Sequence, residues 1–220
     1  MLKIPPIGWL VLLGVVGLVA QNVAQNVAQK PPVNDSGTFT ITENGQLRGT
    51  EHFSVHRALG GRVLQSHIDF QVGDRQVQQT AELQLDAGDG LTSYRWSEGK
   101  AQIDVGYGDG KITAHYQPET GAAREFQFVM PNTTAILDTN FYSEWELLAA
   151  RYDRIRGGEQ QFPVFVPHTG DPGKITLSAV PGPGLFHLRA VTDDVTLELF
   201  LDGSQLARLD GPGVVVTRSK

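Results

Sequence analysis

From Gly37 onward, apolar and polar residues alternate with period two over stretch after stretch, and Gly, Asn and Asp fall where the alternation would have to turn back. Thr38 to Glu43 and Gln46 to Arg57 flank Asn44-Gly45, a strong signal for a two-residue hairpin. In the second of these strands Leu47, Phe53 and Val55 share one face, and Arg48, Thr50, His52, Ser54 and His56 the other. A loop at Ala58 to Gly61 sets Arg57 opposite Arg62, Val55 opposite Leu64 and Phe53 opposite Ser66. A Gly73-Asp74 turn then sets Phe70 opposite Val77 and Leu64 opposite Leu83, so apolar meets apolar throughout. Glu98-Gly99 as the next turn puts Trp96 beside Ala101 and Tyr94 beside Ile103. Asp109-Gly110 puts Tyr107 beside Ile112 and Val105 beside Ala114. With Arg124 to Val129, the first half reads as about eight antiparallel strands in sequential order.

The period changes once. Between Asn140 and Arg156, Phe141, Trp145, Leu148, Ala149, Tyr152 and Ile155 recur at helical spacing and predict one amphipathic helix. Ser143 with Glu146 can form a capping box, Asn140 is an alternative N-cap, and Gly157-Gly158 supplies a left-handed stop. Strands resume at Phe162 to Val166, Lys174 to Val180, Leu185 to Thr192, Val195 to Leu201 and Val214 to Thr217. Asp193-Asp194 as a turn aligns Ala190 with Leu197, Leu188 with Leu199 and Phe186 with Leu201. A sheet of a dozen or so strands cannot stay flat, because strand twist accumulates. The expectation is therefore a mainly β fold: a long, curled, half-barrel-like antiparallel meander with the helix packed on its concave side.

The first thirty residues change the picture of where this domain works. Met1 to Ala20 carries one Lys and then an apolar run from Ile7 to Ala20, shorter than the ~20 residues that span a bilayer as a helix. That is the shape of a signal peptide; Leu18 at the third position back from Ala20 is not the small residue preferred there, so an uncleaved anchor stays open as the one route to a membrane. Residues 21–36 contain a Val-Ala-Gln-Asn repeat ahead of Lys30-Pro31-Pro32 and read as a disordered spacer, leaving 37–220 as a single domain. The expected address is the periplasm or the extracellular space.

Composition then excludes chemistry. The 220-residue chain has a formal net charge of −6 and no basic stripe, which argues against nucleic acid as a partner. It has no cysteine, so it holds no disulfide, thiol nucleophile or thiolate metal site. No Gly-x-Ser-x-Gly elbow occurs, and the acidic residues Glu51, Asp69, Glu82 and Glu125 read as ordinary residues on exposed strand faces. The register sets His52 opposite His67 with Asp69 on the same face and His56 nearby, a set that could hold a metal but matches no ligand motif; a solvated sheet face is the plainer reading. Neither enzyme activity nor a cofactor is expected.

Leu147-Leu148-Ala149-Ala150-Arg151-Tyr152-Asp153, Gly157-Gly158, Gln161-Phe162-Pro163-Val164, Val166-Pro167, Leu201-Asp202-Gly203 and Leu206-Ala207-Arg208-Leu209 resemble exported bacterial proteins of unknown function. Such families are similar in outline to the periplasmic lipoprotein-carrier proteins, whose half-barrels hold acyl chains. The resemblance implies a fold and an address, with no catalytic residue to carry over. Two readings follow. In one, a lipid or other hydrophobic ligand lies between helix and sheet, lined by Phe53, Phe70, Trp96, Tyr107, Trp145 and Leu148. In the other, the same residues fill a solid core, and an exposed edge or face of the sheet meets a protein partner in the cell envelope.

Overall fold

A computed structural model describes residues 33–58 and 60–219. The expected leader at 1–20 and most of the expected spacer lie outside the described residues. Among the described residues fifteen strands form one sheet. The first arm comprises β1 (Val33–Glu43), β2 (Gln46–Ala58), β3 (Gly61–Val72), β4 (Arg75–Asp86), β5 (Leu91–Glu98), β6 (Ala101–Gly108), β7 (Lys111–Gln117) and β8 (Arg124–Val129). A two-residue strand β9 (Ala135–Ile136) and α1 (Ser143–Ala149), the single helix among the described residues, follow. The second arm comprises β10 (Glu159–Val166), β11 (Asp171–Val180), β12 (Phe186–Val191), β13 (Thr196–Asp202), β14 (Gln205–Gly211) and β15 (Val214–Arg218). Spatially the order runs β8 down to β1, then β15 down to β9. All pairings are antiparallel except β9 with β10, and the sheet does not close. The mainly β fold with one helix is as the alternation predicts, but it is two meanders joined where β1 pairs β15, Ile41 opposite Val216.

Most registers follow the turn chemistry. Asn44-Gly45 and Asp109-Gly110 both have positive φ, as a type I′ hairpin requires, and give Glu43 opposite Gln46 and Gly108 opposite Lys111. Phe53 lies opposite Ser66, Phe70 opposite Val77 and Leu188 opposite Leu199, as the sequence predicts. Four expectations are corrected. The β5–β6 turn uses Gly99-Lys100, with Gly99 at φ 57, so Trp96 faces Ile103 and Tyr94 faces Val105, two residues from the expected register. Leu47 is 68% exposed, because the β1–β2 register shifts between Ile41 and Thr42 and takes it off the core face. Residues 33–36, expected as spacer, begin β1, held by pairing with β2 and by the Asp35–Arg218 ion pair at 3.0 Å. The strands β9 and β14 were not anticipated.

The helix is shorter than its pattern. It stops at Ala150 because Asp153 starts a turn: its Oδ1 accepts the N–H groups of Ile155 and Arg156, while Gln160 Nε2 donates to its carbonyl at 2.7 Å. Tyr152 donates its hydroxyl to the Gly158 carbonyl at 2.8 Å instead of extending the stripe, and Ile155 is 99% exposed. Gly157 and Gly158 do adopt positive φ, but they close this loop and not the helix.

The inward faces make one continuous core, running from Ile112 and Ile103 through Ile68, Phe39 and Val216 to Leu209, Leu199, Leu188 and Leu177. The sheet curls so that its arms meet: Phe128 of β8 lies 5.7 Å from Phe165 of β10, and Trp96 of β5 packs edge-on against His168. The helix adds Leu147, Leu148 and Ala149 to this core. It sits on the concave side over the β1–β15 seam, tied to β2 through Glu51 and to β14 through Glu146.

Candidate functional site

A strand that runs past a helix end leaves space where the helix stops, and the concave side holds such a space beside the N-terminus of α1. The cavity is about 340 Å³. Ile41 of β1, Ile68, Phe70 and Val72 of β3 and Val214 of β15 provide apolar walls, and Tyr142 and Asn140 close it on the helix side. Glu43 and Arg48, paired at 2.8 Å, and Gln71 supply its polar atoms. Phe70 reaches the wall because its neighbour across the strands is a glycine: a Cβ on Gly49 would lie 2.3 Å from the Asp69 carbonyl oxygen and 2.6 Å from Phe70 Cβ. Val72, half exposed, and Leu47 stand at the same end of the sheet. The volume falls at the lower end of the ~300–1,000 Å³ usual for small-molecule sites.

Below this groove lies a buried polar network. Glu51 is on the inward face of β2 and fully buried, and its carboxylate does what the expected Ser143–Glu146 capping box does not. It accepts the Tyr142 N–H at 2.7 Å, the Ser143 N–H at 3.3 Å, and the hydroxyls of Ser143 at 2.5 Å and Ser66 at 2.6 Å. A strand residue thus caps the helix. Burial raises the Glu51 pKa despite these donors. Tyr142, between groove and network, has its phenol pushed up to about 12, first by burial and then by the charges of Glu51 and Glu43.

Next to it Asp138 accepts the Tyr94 hydroxyl at 2.6 Å and the Thr139 N–H at 2.8 Å, and lies 2.6 Å from His168 Nδ1. The Asp138 N–H donates to Glu144 Oε2 at 2.5 Å, while Glu144 Oε1 is buried without a partner. Burial, and then the charge of Asp138, drive the Glu144 pKa well above the carboxylate range; burial does the same to the Tyr94 phenol. At the other side of the helix, Arg218 Nη1 reaches Glu146 Oε2 at 2.6 Å, and the guanidinium lies over the Phe53 ring at 5.0 Å. Burial outweighs Arg218 and pushes the Glu146 pKa up to about 7.

The six residues expected to line a ligand site do not together line this groove. Only Phe70 lines the groove. Phe53 is buried and stacked on Phe39 at 5.1 Å, Trp96 is buried against His168, and Leu148 is core at 1% exposure. Trp145 and Tyr107 are partly buried against that core. His52 does lie opposite His67, but His52 Nδ1 is 2.9 Å from Thr38 Oγ1 and His67 Nε2 is 3.1 Å from Asp69. Among the described residues no group of three or more His, Asp or Glu is placed to hold a metal ion, and no helix is long and apolar enough to cross a membrane.

Sequence reasoning did not single out Tyr142, Ile41 or Val214, and it set Glu51 on an exposed strand face, whereas the residue is fully buried. For Glu51 the signal was present, since it shares the odd-numbered face of Phe53 and Val55 and an acid in that period points inward. No family model matches the chain, and no curated protein and no solved structure matches it either.

Proposed function

We propose that the chain is an exported, non-catalytic protein that takes the apolar part of a small lipid-like ligand into the groove between the N-terminal end of α1 and the concave face of β1, β3 and β15. The observation that carries this reading is the groove itself: five aliphatic or aromatic side chains and Tyr142 around about 340 Å³, open at one end of the sheet. The polar atoms of Glu43, Arg48 and Gln71 sit where a headgroup would remain hydrated. On this reading the ligand lies beyond the helix end and not beneath Leu148, whose side chain is part of the core. The outline shared with lipoprotein-carrier half-barrels, and the periplasmic or extracellular address, belong to the same proposal.

The test is a titration of a fluorescent fatty acid and of a lysophospholipid into the purified chain, repeated with Val214→Trp, which fills the groove from a partly buried position. The expected result is saturable binding that weakens at least tenfold in the variant with its thermal midpoint unchanged. Absence of saturable binding would transfer the argument to the second reading, a solid-core interaction module of the envelope, which the exposed edge strand β8 independently favours.

A further inference from the structure

Of the two ends of this sheet, β9 is two residues long, whereas β8 is a regular six-residue strand. β8 pairs with β7 from Arg124 opposite Tyr116 to Val129 opposite Lys111 without a bulge, and among the described residues no strand lies on its other side. The direction of its backbone groups follows from one bond. The Met130 N–H donates to the Gly110 carbonyl at 3.2 Å, so in an antiparallel ladder the even-numbered residues of β8 bond to β7. The N–H and C=O groups of Glu125, Gln127 and Val129 therefore point away from the sheet. All three residues are exposed, Val129 at 84%. The usual guards of an edge are missing: there is no proline or bulge within β8, and its two charges sit together at its N-terminal end.

We propose that a second copy of this chain pairs with β8 in antiparallel fashion about a two-fold axis at Gln127, extending the sheet from one molecule into the next. Three outward residues spaced by two are self-complementary about the middle one. Gln127 meets Gln127 of the second copy, Glu125 meets Val129 and Val129 meets Glu125, and each of these pairs exchanges two backbone hydrogen bonds. The side chains agree with that register. On the concave side Phe126 comes opposite Phe128 of the second copy, an aromatic cross-strand pair made twice. On the convex side no like charges face each other, and the row crossing the join reads His115, Glu125, then Val129 and Lys111 of the second copy, negative toward positive. This surface is separate from the ligand groove, so the two proposals stand or fall independently.

The absence of cysteine makes the register testable. Gln127→Cys places two thiols across the axis on α-carbons ~5.5 Å apart, within disulfide reach. Light scattering of the wild-type chain at tens to hundreds of micromolar is expected to show a species close to twice 23.9 kDa. Gln127→Cys is expected to form a covalent dimer under mild oxidation, while Asp74→Cys on a different exposed turn does not. Gln127→Pro removes an outward N–H without touching a bond to β7, and should weaken self-association at least tenfold with an unchanged far-ultraviolet spectrum. A wild type that stays monomeric, a cross-link no more efficient at 127 than at 74, or a dimer indifferent to Gln127→Pro overturns the proposal; so does capture of β8 by an unrelated strand with no self-association.

Discussion

Replacing Glu51 by Leu and by Gln separates hydrogen bonding from charge as the means by which β2 holds the helix. In Glu51→Leu the side chain still fills its site, but the N–H groups of Tyr142 and Ser143 lose their acceptor in a buried place. A buried donor left unmade costs roughly 1–3 kcal/mol, so two cost roughly 2–6 kcal/mol. The hydroxyls of Ser66 and Ser143 can rotate elsewhere, and removing a buried carboxyl returns part of the cost. The expected net loss is about 2–4 kcal/mol, and for a domain of this size that is a thermal midpoint lower by about 4–16 °C. Glu51→Gln is different. Its carbonyl can accept from Tyr142, and its amide can donate to both serine oxygens, which act as acceptors once their protons turn away. Relief of carboxylate burial offsets the lost charge at the helix N-terminus, worth about 0.3–1 kcal/mol, so the expected change is under about 1 kcal/mol. Urea denaturation followed by the fluorescence of Trp96 and Trp145 reads both variants. A Gln variant as damaged as the Leu variant would show that charge holds the helix, and a Leu variant within 1 kcal/mol of wild type would show that the cap is dispensable.

Gly49→Ala should lower stability by at least 2 kcal/mol, by a close approach to the Asp69 carbonyl that backbone must yield to, and should displace Phe70 enough to weaken ligand binding; a variant of wild-type stability would mean that β2 and β3 separate freely there. The three glutamates that touch the helix predict a pH dependence of definite sign. Folding raises the pKa of Glu51, Glu144 and Glu146, so their contribution is greatest below the unfolded value of 4.5 and is lost as pH rises through the folded values, about 7 for Glu146. The free energy of unfolding should therefore fall between about pH 5 and 8. Glu144→Gln, which keeps an acceptor for the Asp138 N–H and removes a buried charge beside Asp138, should flatten that fall and exceed wild type near pH 8; stability that climbs over this range in wild type would contradict the assignment.

What could be read from the sequence was whatever a turn or an alternation decides locally. Asn44-Gly45, Gly73-Asp74 and Asp109-Gly110 each fix a register within a few residues, and Phe53, Leu64 and Leu83 then fall on one face by parity alone. Where two turns compete, as at Glu98-Gly99-Lys100, parity preserved the face but not the partner. The β1–β15 pairing carries no local signal, because no turn joins strands that far apart in the chain. The length of the helix was misread for a similar reason: its stripe continues to Ile155, but Gln160 and Gly158 supply partners that end it at Ala150. The groove was the least legible part, since it is volume left over when Tyr142 meets β3, and a residue type does not announce an empty space.

The seam between β1 and β15 sets a schedule for the nascent chain. Each hairpin from β1 to β8 can close while the polypeptide is still leaving the ribosome, but one side of β1 waits for Val214 to Arg218, among the last described residues made. Until then the inward side of Phe39 and Ile41 lacks Val216 as a neighbour, and Glu146 lacks Arg218. The early-made arm is thus a half-finished sheet with a sticky flank for most of synthesis, the kind of intermediate that chaperones keep from pairing with strangers. Loss of the final five-residue strand would consequently do harm at the middle of the sheet, on the arm that was made first.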